Sequence, residues 1–484
     1  MENSNKIIIA LGMLAYILAV SYIGYRNKKN SNSEDYFLAS RSLPAWLLAI
    51  TFIASWWGGG SAIDLVDVAH KEGISSFWVY GVPVLLSTFL MYIFAGGIRS
   101  IGTISQGELI EKRYDKRVGF MLTVFIIIFM SIGSATQVIV IGNLFESFFG
   151  IDYSLSATLG TLLVLFYSLF GGFRGVVLTD LFQFVFFLFA SVVLFVLSYS
   201  LSGGFSSLSV IASEPNREGF TSVFHNLGDN LAYIITFGSS WMIQANVWQR
   251  ISAAKTPQSA KKMMKISFLA FIPLYLMVAL TGMFSASIFE SVPQGGVVAG
   301  LLNQMQSPLL SGLIFIGLCS AIMSTMDSMI NSGALSLTVD IYQRHINPKA
   351  KPNMGVKVGR ISTALIAIIA LIVGVKIRSV LTIAWIGADF LATGAFVPLV
   401  LGFIFRRGTT SAALSSMIFG LVFSLYNLCV ALGANFPTLW KIASTEQAII
   451  GMCTSFIIYM CVSLVTKPNK EKAEKFIKTA NIIK

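Results

Sequence analysis

Charge is what this chain lacks most. Only 12% of its 484 residues are Asp, Glu, Lys or Arg, against 55% hydrophobic, where a soluble domain carries about 25% charged residues. Histidine is almost absent. His70, His225 and His345 fall in loops or span ends on different segments, so neither a Ser/His/Asp triad nor a histidine metal site has its parts. The four cysteines, Cys319, Cys429, Cys453 and Cys461, all lie inside apolar stretches without metal-ligand spacing. They are expected as free thiols rather than a disulfide framework. No Gly-rich phosphate loop is present, which argues against ATP-driven chemistry. No polar stretch is long enough for a kinase or nuclease module, and an enzyme is not expected.

What the chain has instead is hydrophobic length. Mean hydropathy is +0.76, and apolar runs of about 20 residues, the length that crosses a bilayer, recur from end to end. The pattern gives thirteen spans, near 7–24, 44–72, 76–98, 117–148, 154–172, 177–200, 231–250, 263–288, 307–343, 358–376, 378–404, 409–432 and 444–466. The fold class expected is an all-α polytopic membrane protein. The first run is not expected to be a signal peptide, because its positive cluster, Arg26, Lys28 and Lys29, follows it.

The net charge of +12 would suit nucleic acid if it were clustered on a soluble face. It is spread over alternate loops instead. All but six of the 34 lysines and arginines (Lys6, Lys71, Arg217, Lys376, Arg378 and Lys441) fall on one side of the predicted membrane. The positive-inside rule then places the N-terminus outside and the C-terminus inside. Basic loops facing anionic lipid account for the charge, and no nucleic-acid partner is expected.

The stretch Ser55-Trp56-Trp57-Gly58-Gly59-Gly60-Ser61-Ala62-Ile63-Asp64 stands inside the second span. Each glycine costs a helix about 1 kcal/mol relative to alanine, so the helix is expected to break there. Freed backbone groups at membrane depth are tolerated only where they line a cavity or bind something, and paired broken helices point to the binding site of a secondary transporter. Five spans later, in the opposite direction, span seven carries Gly238-Ser239-Ser240. Two five-helix units, spans 2–6 and 7–11, thus read as a 5+5 inverted repeat. The division expected is an N-terminal peripheral helix and cytoplasmic loop at 1–43, a ten-helix core at 44–404, two peripheral helices at 405–466 and a basic tail at 467–484.

Four local patterns resemble the sodium:solute symporter family. They are Ala54-Ser55-Trp56-Trp57-Gly58-Gly59-Gly60-Ser61, Phe170-Gly171-Gly172 leading to Thr179-Asp180, Gln249-Arg250 with Ala253-Ala254-Lys255, and Ser320 to Ser328 ending in Asp340-Ile341-Tyr342. Their order covers most of the chain. The resemblance implies the LeuT-type fold, a location in the plasma membrane and Na+ as coupling ion. By motif position it implies sodium ligands at the carbonyls of Ala54, Trp57 and Ala321 and the hydroxyls of Ser324 and Thr325. Taken alone, those two hydroxyls could equally bond back to their own helix. In some members an acid at the position of Asp180 works with hydroxyls one turn past the sodium serines. Asp180, Asp327 and Ser328 are therefore expected as a second cation site or exit relay, although Asp180 could simply stabilise a helix N-terminus.

Solute contacts are expected from Ser55, Trp56, Ser61 and Asp64 on span two, Gln137 on span four, and Ser240, Trp241 and Gln244 on span seven. Ordinary packing is the alternative for the tryptophans, and a helix-dipole role for Asp64. The positions where sugar-transporting relatives carry asparagine and tyrosine hold Phe237 and Ser240, which disfavours a hexose. No Lys or Arg occurs from Val118 to Gly172, so a dedicated carboxylate anchor is missing. The Trp-x-Gly-Gly-Gly pattern is similar to the choline-transporting branch, where aromatic faces hold a quaternary ammonium, but Gln244 stands where that branch has a tryptophan. The function expected is sodium-coupled uptake of a small polar organic solute, such as an amino acid, an amine or another polar metabolite. A proton-coupled carrier, a uniporter and a non-transporting sensor of the same fold are the alternatives.

Overall fold

A computed structural model describes residues 3–26, 32–431, 433–442 and 444–482. Lys28 and Lys29 lie outside the described residues. Among those described, the protein is helical throughout. The elements are α1 Asn3–Arg26, α2 Ser33–Leu38, α3 Ala45–Trp56, α4 Leu65–Glu72, α5 Gly81–Ile101, α6 Gln106–Arg113, α7 Lys116–Phe149 and α8 Tyr153–Ser202. They continue with α9 Phe205–Ala212, α10 Leu227–Tyr233, α11 Ser239–Met242, α12 Ala245–Ala253, α13 Pro257–Ser285, α14 Val297–Asn303 and α15 Pro308–Leu335. The last six are α16 Pro352–Lys376, α17 Val380–Asp389, α18 Val397–Ile404, α19 Thr410–Ala431, α20 Thr445–Val465 and α21 Lys470–Ala480.

Local chemistry sets many of these ends. Asp115, Asp152, Thr256 and Ser379 cap α7, α8, α13 and α17 through side-chain oxygens on first-turn amides. Proline opens α13, α15 and α16, where its missing N–H is no loss. A straight helix as long as the 50-residue α8 would run about 75 Å, far beyond a bilayer. It bends at Gly172, whose φ of 55° and ψ of −165° lie in a region open essentially to glycine alone. That bend separates the spans expected at 154–172 and 177–200.

Ten helical stretches among the described residues are long and apolar enough to cross a membrane, and Ala45–Trp56 and Tyr153–Leu169 are shorter apolar helices. The seventh expected span, 231–250, is built in pieces: α10, a π-helical turn at Ile234–Gly238, α11 and α12. The stretch between the spans expected at 177–200 and 231–250 contains the short helix α9, and the basic tail forms α21. The core sits between α7, α8, α13, α15 and α16, which pack pairwise along their lengths. Outward-facing leucines, isoleucines and valines on α1, α8, α16 and α19 stay exposed, as lipid-facing surfaces do.

Candidate functional site

α3 ends at Trp57, whose φ of −84° and ψ of 58° are not helical. The helix resumes through a π-helical turn at Gly60–Asp64 before α4. The three glycines do not need left-handed backbone here. They are needed for space. A Cβ on Gly58 would lie 2.7 Å from Gln137 Oε1 and 2.9 Å from Thr325 Oγ1; one on Gly59 would strike Val140, and one on Gly60 the ring of Tyr80. The glycine run lets α7, α15 and Tyr80 close directly on the break.

The second break differs from expectation. Gly238-Ser239-Ser240 stays helical, because Ser239 Oγ bonds back to the carbonyls of Ile235 and Thr236 and Ser240 Oγ to that of Phe237. The chain leaves the helix four residues later, at Ile243 and Gln244. The carbonyl of Ile243, freed there, accepts a bond of 2.9 Å from Gln106 Nε2. The two breaks meet: Trp56 Nε1 donates to Gln244 Oε1 at 2.6 Å. Gln137 Oε1 accepts from the Gly59 amide at 2.9 Å, pinning the first break to α7.

A cavity of about 90 Å³ lies between the breaks. Ser55, Trp56, Ser61, Gln137, Trp241 and Gln244 line it, together with Tyr80, Phe129, Thr136, Tyr275, Thr325 and Met329. Among the described residues, no charged side chain is among its walls. Tyr80 and Tyr275 escaped the sequence reading because nothing in their local pattern separates them from core aromatics. Tyr275 OH and Ser61 Oγ are 2.7 Å apart; the ring of Tyr80 stacks on Trp241 at 6.1 Å. Two expected contacts lie elsewhere. Asp64 accepts from Tyr80 OH at 2.7 Å and faces a second cavity with Asp67 and Glu146, beyond Gly59. Ser240 is buried against its own helix and does not line the first cavity.

Beside the cavity, α15 presents hydroxyls to the end of α3. Ser324 Oγ lies 2.9 Å from the Ala54 carbonyl and 3.0 Å from that of Ala321, and Thr325 Oγ1 lies 3.3 Å from Ala54 O. Four of the five expected sodium groups therefore meet. Trp57 follows Ala54 by three residues, and its buried indole packs against Phe187 and Tyr275. These are hard oxygens without full charge, the donor set an alkali cation takes. Thr325 touches both places, as a cavity wall and as part of the oxygen cluster.

Asp180, Asp327 and Ser328 also converge, around a partner the sequence reading did not supply. The Arg250 guanidinium, fully buried, donates from Nη2 to Asp180 Oδ2 at 3.0 Å, to Ser328 Oγ at 2.7 Å and to Thr51 Oγ1 at 3.0 Å. Thr51 also donates to Asp180. Ser328 Oγ donates to Asp327 Oδ1 at 3.3 Å. Among the described residues, Asp180 Oδ1 and Asp327 Oδ2 have no hydrogen-bond partner. One guanidinium thus faces two carboxylates. Arg250 lay within a quoted motif, but nothing local indicated which acid it reaches 70 residues away.

A sequence profile described as "Sodium:solute symporter family" matches residues 36–420. The chain belongs to the sodium:solute symporter family. Relatives include a sodium/glucose cotransporter of Vibrio parahaemolyticus, 27% identical over 95% of this chain and 90% of the relative. An osmoregulated proline transporter of Bacillus subtilis (strain 168) is 26% identical over 96% of both chains. Among solved structures, a Na+-coupled sialic acid symporter in a substrate-bound, outward-open state superposes with a TM-score of 0.80 at 18% identity, covering 95% of this chain and 98% of the other. That likeness shows a shared fold. As a member of this symporter family, the chain is a multi-pass protein of the plasma membrane with sodium as its coupling ion. The expectation that a hexose is disfavoured finds no support, since one relative is itself a sodium/glucose cotransporter.

Proposed function

We propose that this symporter drives uptake of a small polar organic solute with sodium, holding the solute in the cavity between the two helix breaks. The observation that carries the reading is Thr325, which borders the cavity while its hydroxyl joins the oxygen cluster of Ala54, Ala321 and Ser324. Sodium at that cluster would tie the end of α3 to α15, and the same tie would shape the solute's wall. Affinity for one ligand would then depend on the other, and the coupling is reciprocal. The Trp57 carbonyl would complete the shell. Each cation entering at 100 mV contributes about 2.3 kcal/mol.

The solute is read as neutral or zwitterionic. Aromatic faces from Trp56, Trp241, Tyr80 and Tyr275 and amides from Gln137 and Gln244 line the cavity, without a fixed charge to match a lone anion or cation. Asp180, Asp327 and Ser328 are kept as a second cation site or relay, because the two acids outnumber the single guanidinium. Thirteen crossings with the N-terminus outside, and the division at 1–43, 44–404, 405–466 and 467–484, belong to the same reading, drawn from the apolar runs and the placement of lysine and arginine. The test is a thermal-shift screen of the purified protein over amino acids, amines, sugars and carboxylates, with and without sodium. A specific solute raises the melting point by mass action, and more so with sodium present; equal shifts in sodium and potassium would contradict sodium coupling.

A further inference from the structure

One carboxylate inside the apolar body takes no part in either site above. Asp389 closes α17 where the π-helical turn Phe390–Phe396 begins, and is 2% exposed. π-helical turns inside α-helices frequently mark functional sites, and an ionisable residue at membrane depth is a functional candidate by default. Its surroundings are neutral and polar. Thr393 Oγ1 donates to Asp389 Oδ1 at 3.1 Å. α19, which carries Ser424 and Asn427 one turn apart, and α20, which carries Gln447, pack against this turn. All five are at least nine-tenths buried. Among the described residues no basic side chain is paired with Asp389.

Among the described residues, three of these groups keep an atom without a protein partner. Asp389 Oδ2, Ser424 Oγ and Asn427 Nδ2 lack protein partners, while Asn427 Oδ1 is held by Trp440 Nε1 at 2.9 Å. A carboxyl that merely carried a proton would need one acceptor, and four polar side chains converge here. Asp389, Thr393, Ser424 and Gln447 each carry an oxygen. A single negative charge suits a monovalent ion, since divalent sites of hard oxygens usually gather more carboxylates. Access is built alongside. Trp385, one turn before Asp389, and Ser444, one turn before Gln447, line a cavity with Glu72, Asp229 and Glu446 against only Lys441. Such a vestibule concentrates cations.

We propose that Asp389, Thr393, Ser424 and Gln447 form a sodium site, separate from the Ala54–Ser324 cluster and entered from the acidic cavity beside Trp385. The site can reach the solute cavity through α17 itself. Ala384 and Gly387 line that cavity from the same helix that carries Asp389. Close packing of Gly420 on Gly394 joins α19 directly to the π-helical turn. An ion bridging α17, α19 and α20 therefore fixes the wall of the solute cavity from behind.

The test is 22Na+ binding to the purified full-length protein. Asp389→Asn is expected to bind one ion fewer per chain at saturation. Ser424→Ala, which keeps the carboxylate, is expected to weaken apparent sodium affinity for that ion about tenfold, the loss typical of a damaged metal shell. In a Ser324→Ala/Thr325→Ala background the Asp389-dependent ion is expected to remain. Wild-type counts and affinity in both Asp389→Asn and Ser424→Ala would overturn the proposal. If Asp389→Asn does not yield folded protein, Ser424→Ala decides alone: unchanged affinity there would overturn it.

Discussion

Gly58 shows how a single residue is fixed by its neighbours. A methyl group there would press on Gln137 Oε1 and Thr325 Oγ1 together. Overpacking of this kind costs about 1–3 kcal/mol, and here it pushes apart the two walls that the cavity and the oxygen cluster share. Gly58→Ala is expected to express and insert while losing more than about tenfold in sodium-dependent solute binding, measured by the thermal shift of the purified variant. Arg250 argues differently. Breaking a buried pair from one side costs about 3–5 kcal/mol, whereas replacing both partners with apolar groups is often neutral. Arg250→Met alone is expected to lower the melting temperature sharply, and Arg250→Met with Asp180→Leu to recover most of it. A double variant no better than the single one would show that the two side chains are not coupled. At this scale the sequence was legible where short-range spacing decides the contact. Ser324, Thr325 and Ala321 lie on one helix face, and the glycine run marks the break. Arg250 and Tyr80 were not legible, because their partners are set by packing between distant helices.

Elements carry the second level. The bend at Gly172 allows α8 to supply two spans, and its backbone angles are strained for any side chain by about 1–3 kcal/mol. Gly172→Ala is expected to reduce the yield of monodisperse protein, whereas Gly175→Ala, with no neighbour nearer than 3.6 Å to its added methyl, is not. The two helix breaks also belong here. The first was legible from three consecutive glycines. The second lay four residues beyond the small-residue cluster, since serines in an apolar helix return their hydroxyls to their own carbonyls. Ile243 and Gln244 carry no helix-breaking signature, and the captured Ile243 carbonyl shows that tertiary contact, through Gln106, stabilises the interruption. Asp64 left the expected cavity for a related reason: the π-helical turn at Gly60–Asp64 swings it toward Tyr80 and the neighbouring cavity.

For the whole molecule, hydropathy made the membrane class legible, because it is a sum over many residues. The broken spans were harder to count, since a helix in pieces has no single long apolar run. Orientation has its own test. In a cysteine-free background, Ser213→Cys is expected to react with a membrane-impermeant maleimide added outside intact cells, and Lys475→Cys only after the membrane is opened. The reverse pattern would invert the topology. The central claim is that the oxygen cluster of Ala54, Ala321, Ser324 and Thr325 binds the ion that drives solute entry. Its most direct measurement is uptake, into proteoliposomes under an imposed sodium gradient, of the solute found by the thermal-shift screen. Ser324→Ala/Thr325→Ala is expected to abolish the response to the gradient while the protein stays folded. Unchanged sodium dependence in that variant would contradict the claim.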